Sequence, residues 1–235
     1  MQVERPITTI IFDAGETLLE LDVAAIAGVC GQGVDVQAVR RALGAVRQDM
    51  DAFFLPHLEA RRAPSQREFG QGRGFHLEEL LLGHLGIEPA RRREVAEGLR
   101  ALDQARRLWT LVPADAPATL AALRARGLRL GVLSNSDGSI TWKLHHEGLG
   151  RFFDRILDSH VEGIAKPDPE LFRRAVTRLE ADPARTLYVG DLYSIDVVAA
   201  GLAGLQGVLI DRTGAYVTPR PCLRVGALAD LLTMV

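Results

Sequence analysis

The chain has 235 residues, of which 47% are hydrophobic and 25% are charged, a composition typical of a globular protein with a sizeable core. A formal net charge of −2 gives no reason to expect a nucleic-acid partner, and no apolar run is long enough to cross a bilayer. Cys30 and Cys222 are too few for a disulfide framework, and the N-terminal residues MQVERP lack a signal-peptide apolar region. We therefore expect a cytoplasmic protein without a membrane partner.

The first predicted strand is a short apolar run, Ile10, Ile11 and Phe12, that stops at Asp13. Such a run is typical of a strand that is buried on both faces of a parallel sheet. Open α/β sheets bind their ligands at the carboxyl ends of these strands. Asp13 is therefore a candidate nucleophile or metal ligand, although an aspartate that only caps the next turn would give the same pattern.

After Leu19 the pattern changes from strand to helix. Apolar residues at helical spacing predict helices over residues 22–29, 36–54 and 67–85, and Pro89 is well placed to begin another that runs to about residue 108. Residues 19–110 are thus predicted to form an all-helical insertion.

From residue 111 onward, strands and helices alternate. Strands are predicted at 128–133, 155–157, 186–189 and 207–210, which with the first strand make a parallel sheet of five. Asp168, Ser194 and either Ser136 or Asp137 are predicted helix N-caps. The sequence therefore predicts an α/β protein with a core of residues 1–18 and 111–235, interrupted by the helical insertion.

Polar residues that suit phosphate chemistry follow three of these strands. They are Asp13, the pair Ser134 and Asn135, and Asp191, while Lys166 lies in a loop before a predicted helix. Because parallel strands end at one edge of the sheet, these groups can converge. Two carboxylates and a backbone carbonyl suit Mg²⁺, and a lysine and a hydroxyl suit a phosphoryl group beside it. An aspartate in such a site can attack phosphorus and form an aspartyl-phosphate.

The first two of these segments resemble motifs of the haloacid dehalogenase superfamily. Phe12-Asp13-x-x-x-Thr17-Leu18 is similar to the first motif, and the resemblance implies that Asp13 is the nucleophile and that Thr17 lies beside the phosphate. Leu133-Ser134-Asn135 is similar to the second motif, which implies that Ser134 holds a phosphate oxygen, with Asn135 beside it.

The remaining segments extend the resemblance over nearly the whole chain. Lys166-Pro167-Asp168-Pro169 is similar to the third motif, in which the lysine stabilises the nucleophile and the transferring group. Gly190-Asp191 with Asp196 is similar to the fourth, which implies that Asp191 binds Mg²⁺ and that Asp196 binds it through water or braces Lys166. The resemblance implies a Rossmann-like core, and it makes the insertion a cap that closes over the site and selects the substrate.

One position departs from the family pattern. Phosphatases of this superfamily usually carry a second aspartate two residues after the nucleophile, as general acid and base, and this chain has Gly15 there. Glu16 occupies the next position, which is often glycine. Loss of a positioned acid or base typically costs about 10²–10⁴-fold in rate. The backbone carbonyl of Gly15 can still bind Mg²⁺.

Four hypotheses compete, and the sequence argues most strongly against the third. The favoured one is a Mg²⁺-dependent phosphatase of a small phosphorylated metabolite, in which Glu16, a cap residue or the substrate supplies the proton, or whose substrates have good leaving groups. A 2-haloacid dehalogenase also lacks the second aspartate, and it needs no metal. A phosphonate hydrolase would need a cap lysine, which the insertion lacks. A non-catalytic module that binds phosphate and Mg²⁺ is the fourth, and the sequence leaves the substrate and the oligomeric state open.

Overall fold

The computed structural model describes residues 6–60 and 77–235. The chain divides into two compact units, the first formed by Met1–Glu20 with Val112–Val235 and the second by Leu21–Leu111. The boundaries predicted from the sequence lie after residues 18 and 110. Across the two described ranges, no helix is long and apolar enough to cross a membrane.

The main sheet lies in the first unit and has six parallel strands, whereas the sequence predicts five. The strands of the described chain are β1 (Thr9–Phe12), β2 (Glu20–Leu21), β3 (Trp109–Leu111), β4 (Arg129–Ser134), β5 (Arg155–Asp158), β6 (Thr186–Gly190), β7 (Gln206–Ile210) and β8 (Leu223–Val225). Their order in the main sheet is β5-β4-β1-β6-β7-β8. The missed strand, β8, has only three residues at the sheet edge, and of these only Val225 is buried, so it gives no clear pattern.

The central strand β1 accounts for the position of Asp13. Ile10 and Phe12 pack into the apolar cluster on one side of the sheet, and Ile11 packs into the cluster on the other side. A continuous apolar run suits this position because both faces of the strand are covered. Phe12 pairs with Val132 of β4 and with Val189 of β6, so the three strands end at a common edge.

The second unit contains four described helices, α1 (Val23–Cys30), α2 (Val36–Glu59), α3 (Leu77–His84) and α4 (Pro89–Gln104). Their apolar faces share a core that includes Ile26, Val39, Val46, Leu82, Val95 and Leu99. The predicted helix over 67–85 is described only from Leu77 onward, and its residues 67–76 lie outside the described part of the chain. The insertion is not all-helical as predicted, because the short strands β2 and β3 at its two ends pair in a small sheet. Strands of two and three residues are too short to show a periodic pattern.

Most helices of the first unit lie between successive strands of the main sheet. The helices of this unit are α5 (Ala116–Ala125), α6 (Ile140–His146), α7 (Ser159–Glu162), α8 (Pro169–Arg178), a π-helix (Tyr193–Val198), α9 (Ala199–Leu202) and 3₁₀ turns at Gly150–Phe152, Pro183–Arg185 and Leu228–Thr233. Asp168 caps α8 as predicted, and its side chain accepts a hydrogen bond from Glu170 N at 2.9 Å.

Two of the predicted N-caps are wrong. The helix α6 begins after Ser139 rather than after Ser136 or Asp137. The carboxylate of Asp158, at the end of β5, accepts hydrogen bonds from Gly138 N at 3.0 Å and Ile140 N at 3.3 Å. Ser194 lies inside the π-helix, whose N-cap is Leu192. At α6, Asp158 of β5 thus accepts hydrogen bonds from backbone N–H groups that we expected Ser136 or Asp137 to cap.

Candidate active site

Asp13 is held at the carboxyl edge of the main sheet by β1. Its backbone N–H donates to the Val189 carbonyl of β6 at 2.8 Å. Its side chain is buried, with 9% of its surface exposed. Ser134 is the last residue of β4 and Asp191 directly follows β6, so both lie at this edge as well. Strand pairing therefore brings together residues that are far apart in the sequence.

Lys166 lies in the loop between α7 and α8, and its ammonium reaches this edge. Nζ is 2.6 Å from Asp13 Oδ1, 2.7 Å from Asp196 Oδ1 and 3.0 Å from the hydroxyl of Tyr188. Only 3% of the lysine side chain is exposed. The negative charges of the two carboxylates attract the buried ammonium, and the directions of its three hydrogen bonds fix its orientation. It therefore has little freedom to turn towards solvent.

Asn135 holds the backbone of the lysine loop. Its Nδ2 donates to the Lys166 carbonyl at 2.9 Å, and its Oδ1 accepts from Lys166 N at 2.8 Å. The two hydrogen bonds use both ends of the amide and attach the lysine loop to the end of β4. In this structure Asn135 thus acts on the position of Lys166, and its predicted contact with substrate stays a prediction.

Three buried carboxylates form the only group of metal-ligating side chains found in the described residues. Asp13, Asp191 and Asp196 each offer an oxygen, and these oxygens lie within 4.8 Å of one another. Asp196 is the most constrained of the three, because Oδ2 accepts from Leu192 N at 3.0 Å and Oδ1 binds Lys166. Gly190 makes this packing possible, since a Cβ there would overlap the Asp196 carboxyl group.

The loop after Asp13 contains the predicted phosphate-contacting residue Thr17. Its Oγ1 is buried and has no hydrogen-bond partner in the part of the chain that the structure describes. A buried hydroxyl without a partner costs free energy, and such groups often mark a ligand site. The loop is closed by hydrogen bonds from Leu19 N to Ala14 O and from Glu16 N to Leu19 O. These two bonds make the bridge between Gly15 and Leu19, and neither uses the Gly15 carbonyl.

Residues 7–204 match a family model described as "Hydrolase: haloacid dehalogenase-like hydrolase". The chain belongs to the haloacid dehalogenase-like hydrolases. The matched region includes all four segments that carry the resemblance, from Asp13 to Asp196.

The curated relatives of this hydrolase include proteins whose names state a phosphatase activity. A phosphoserine phosphatase of Thermus thermophilus is 40% identical over 153 residues, which is 64% of this chain and 60% of the relative. A glyceraldehyde 3-phosphate phosphatase of Methanopyrus kandleri is 31% identical over 156 residues, 66% of each chain. The chain thus aligns with less than two thirds of the length of either relative.

Solved structures share the fold of this hydrolase over almost the whole chain. The L-2-haloacid dehalogenase RSc1362 has a TM-score of 0.68 at 22% identity and covers 97% of this chain and 98% of its own. A phosphatase from Thermococcus onnurineus has a TM-score of 0.60 at 21% identity, with 97% of each chain covered. Because a dehalogenase and a phosphatase both have this fold, the fold does not decide between the two reactions.

Burial and neighbouring charges shift the pKa values of Asp13 and Lys166 in the site of this hydrolase. Burial raises the pKa of Asp13 to about 6, although Lys166 opposes this shift and Asp196 adds to it. Burial alone would lower the pKa of Lys166, but the carboxylates of Asp13 and Asp196 outweigh it and hold that pKa well above its ordinary value. Lys166 therefore stays charged, whereas Asp13 gains or loses its proton near pH 6 when no metal ion is bound.

Two residues that contact this site were not identified from the sequence. Tyr188, in the middle of β6, binds Lys166 through its hydroxyl. Arg212, after β7, places Nη2 3.3 Å from the Thr17 carbonyl and Nη1 3.3 Å from Asp115. Tyr188 belongs to an apolar strand pattern, and Arg212 is one of many arginines, so neither carries a local signal. Their roles depend on partners that are distant in the chain.

Proposed function

We propose that this hydrolase is a Mg²⁺-dependent phosphatase that acts on a small phosphorylated metabolite through an aspartyl-phosphate on Asp13. The observation that carries the proposal is the ammonium of Lys166, fixed between Asp13 and Asp196 beside a third carboxylate, Asp191. This arrangement holds a nucleophile and a positive charge where the charge of a phosphoryl group would develop. A cytoplasmic location belongs to the same proposal.

The carboxylates fit Mg²⁺. Three acidic side chains lie together and one ammonium contacts two of them, which leaves a formal excess of two negative charges that a divalent cation would neutralise. Oxygen ligands of this kind are those that Mg²⁺ prefers, together with several waters. Asp13, Asp191 and the Gly15 carbonyl would hold the ion directly, and Asp196 would reach it through water, because its oxygens already bind Lys166 and Leu192 N. When bound, the ion would balance the negative charge of the phosphoryl oxygens.

The residues of the chain would divide the reaction between them. Asp13 attacks phosphorus, and the bond from phosphorus to the ester oxygen breaks as the aspartyl-phosphate forms. The hydroxyls of Thr17 and Ser134 would donate to the phosphoryl oxygens, which would give the buried Thr17 Oγ1 its missing partner. Lys166 remains protonated and offsets the charge on Asp13 and on the phosphoryl group. Water then hydrolyses the aspartyl-phosphate and releases inorganic phosphate.

The leaving group determines which substrates react well. Position 15 offers no acid to protonate a departing alkoxide. The favoured substrates are then phosphates whose leaving groups need no proton, such as acyl and aryl phosphates, unless Glu16 or the substrate itself supplies one. The phosphoserine and glyceraldehyde 3-phosphate phosphatases among the relatives support a small phosphorylated substrate.

Turnover of p-nitrophenyl phosphate and acetyl phosphate with Mg²⁺ tests the proposal. Wild type should release phosphate, and Asp13→Asn should release none above background. Asp182→Asn makes the same chemical change at an exposed N-cap away from the site and should keep wild-type turnover. Equal rates for wild type and Asp13→Asn would end the proposal.

A 2-haloacid dehalogenase is the second candidate, because Gly15 also fits that activity and an aspartate beside a lysine can attack carbon as well as phosphorus. Release of halide from 2-chloropropionate in the presence of a chelator, without phosphate release from any ester, would favour it. Binding of vanadate without turnover of either substrate class would favour the non-catalytic module.

A further inference from the structure

Tyr188 is the buried tyrosine of β6, the strand that ends before Asp191. Its side chain is fully buried, and its ring packs edge-on against Phe172 of α8 with 4.8 Å between ring centroids. The strand pairs Tyr188 with Ile11 of β1. A phenylalanine would fill the same apolar space, so packing does not explain why the ring carries a hydroxyl group.

The hydroxyl of Tyr188 connects two segments of the active site. It donates to the Leu133 carbonyl of β4 at 3.0 Å, lies farther, at 3.3 Å, from Asp196 Oδ1, and is 3.0 Å from Lys166 Nζ. A phenol has one proton, so with that proton directed to Leu133 the oxygen is available to accept from the ammonium. The hydrogen bond to Leu133 thus sets the orientation in which the tyrosine meets Lys166.

The hydrogen bonds of the Lys166 ammonium are complete only with this hydroxyl. An ammonium has three protons, and its three acceptors are Asp13, Asp196 and Tyr188. Without the tyrosine oxygen, one proton of a fully buried cation would have no acceptor among these groups. A lysine has a flexible stem, so an incomplete set of acceptors would let the ammonium rotate away from the oxygen of Asp13.

From these contacts we infer that Tyr188 is a positioning residue for Lys166, whose hydroxyl fixes the ammonium against the nucleophile Asp13 while the ring serves the core. The expected effect on kcat rests on the proposed function. The expected effect on the position of the Lys166 ammonium rests on the hydrogen bonds alone. Lys166 contacts the nucleophile, so its displacement should slow the chemical step more than it weakens substrate binding.

The variant Tyr188→Phe tests this inference, with Thr186→Val as its matched control. Thr186 is also fully buried on β6, and its hydroxyl also donates to a backbone carbonyl, that of Asp182 at 2.7 Å, but at the opposite end of the strand. With p-nitrophenyl phosphate, kcat should fall about 10- to 100-fold in Tyr188→Phe, the usual range for loss of a hydrogen bond to a charged group, while KM stays within about threefold. In Thr186→Val both constants should stay within about twofold of wild type. A kcat for Tyr188→Phe equal to that of the control would overturn the inference.

A spectroscopic measurement separates this inference from the proposed function. The chain has only two lysines, Lys143 and Lys166, so ¹⁵N-lysine labelling gives two ammonium signals at most, and Lys143→Arg assigns them. The Lys166 signal should shift and broaden in Tyr188→Phe and remain unchanged in Thr186→Val. If wild type hydrolyses no phosphate, the proposed function fails and this signal alone decides the role of Tyr188. If Tyr188→Phe does not fold, a nuclear Overhauser effect between the ammonium and the Tyr188 ring in wild type supports the inference, and its absence refutes it.

Discussion

At the scale of the single residue, Glu16 combines a position in the loop that follows Asp13 with an unfavourable backbone conformation. Its φ angle is 52°, in the left-handed region that glycine adopts without strain. For other residues this conformation costs roughly 1–2 kcal/mol. A glutamate kept there is either tolerated because the loop is well closed, or used because its carboxylate takes part in the reaction.

Replacement of Glu16 by glycine should stabilise the protein by about 0.5–1 kcal/mol, because the relief of strain exceeds the entropy that glycine adds to the unfolded chain. Glu180 has a φ angle of 49° and is exposed after α8, so Glu180→Gly is a matched control that should give a similar gain. Urea unfolding measures both changes. We expect turnover within about threefold of wild type in each variant, and a loss of turnover confined to Glu16→Gly would instead assign the missing acid to Glu16.

Gly15 is the residue that sets the expected range of substrates. Gly15 is not among the glycines with a positive φ angle, so a side chain at this position meets no left-handed backbone strain. If the missing acid limits turnover, Gly15→Asp should raise kcat for alkyl phosphates about tenfold or more and change acyl phosphates little. Gly15→Asn has the same size without a proton to donate, so it should give no gain. An unchanged alkyl-phosphate rate in Gly15→Asp would mean that another group already supplies the proton.

At the scale of secondary structure, Asp158 connects the end of β5 to the beginning of α6. Its carboxylate accepts from Gly138 N at 3.0 Å, Ile140 N at 3.3 Å and His160 N at 3.0 Å. The loop that it holds begins directly after Ser134 and Asn135. A capping group on another strand thus holds both the start of the helix and the loop that leads to it.

Asp158→Ala should therefore lower the free energy of unfolding by about 2–4 kcal/mol, because it leaves several backbone N–H groups without a charged acceptor. Asp182→Ala removes an ordinary local cap that accepts from Ala184 N at 3.0 Å, and it should cost only about 1 kcal/mol. Denaturant unfolding of the two variants gives the comparison. Equal losses would show that the contacts of Asp158 add nothing beyond those of a simple cap.

At the scale of the whole molecule, the fold gathers three carboxylates at one site, where a single buried ammonium contacts two of them. Burial, opposed by Lys166 and assisted by repulsion from Asp196, raises the pKa of Asp13 to about 6 in the metal-free protein. Only the ionised carboxylate binds a metal, so protons and Mg²⁺ compete for this group. The competition becomes important below pH 6 and is weak above pH 7.

Calorimetric titration with Mg²⁺ at constant ionic strength should reveal this competition. Between pH 7.5 and pH 5 the affinity should fall about tenfold, because Asp13 is ionised at the higher pH and mostly protonated at the lower one when its pKa is about 6. Asp13→Asn should bind Mg²⁺ weakly, with a smaller change over the same interval. The same affinity for wild type at both pH values would contradict the assignment of Asp13 as a ligand.

Patterns over short stretches of the sequence were sufficient to predict the candidate site residues, the family and the α/β core. Three buried strands end in polar residues, and this alone makes Asp13, Ser134 and Asp191 candidates, because a strand boundary is visible over a few residues of sequence. The order of four motifs identified the family, which the family comparison confirms. The alternation of strands and helices likewise predicted an α/β core, which the structure confirms with six strands in place of five.

Only the tertiary structure decided which partner each of these residues has. The hydroxyl of Tyr188 reaches Lys166 and Leu133, and Asp158 replaces the predicted local cap of α6. Asn135 binds the backbone of the lysine loop, and β8 completes the sheet although its three residues have no clear pattern. These contacts join residues that are distant in the chain, and hydrogen-bonding groups satisfy one another only where folding brings them together. A sequence pattern reports the local environment of a residue, whereas its partner depends on the arrangement of the whole sheet.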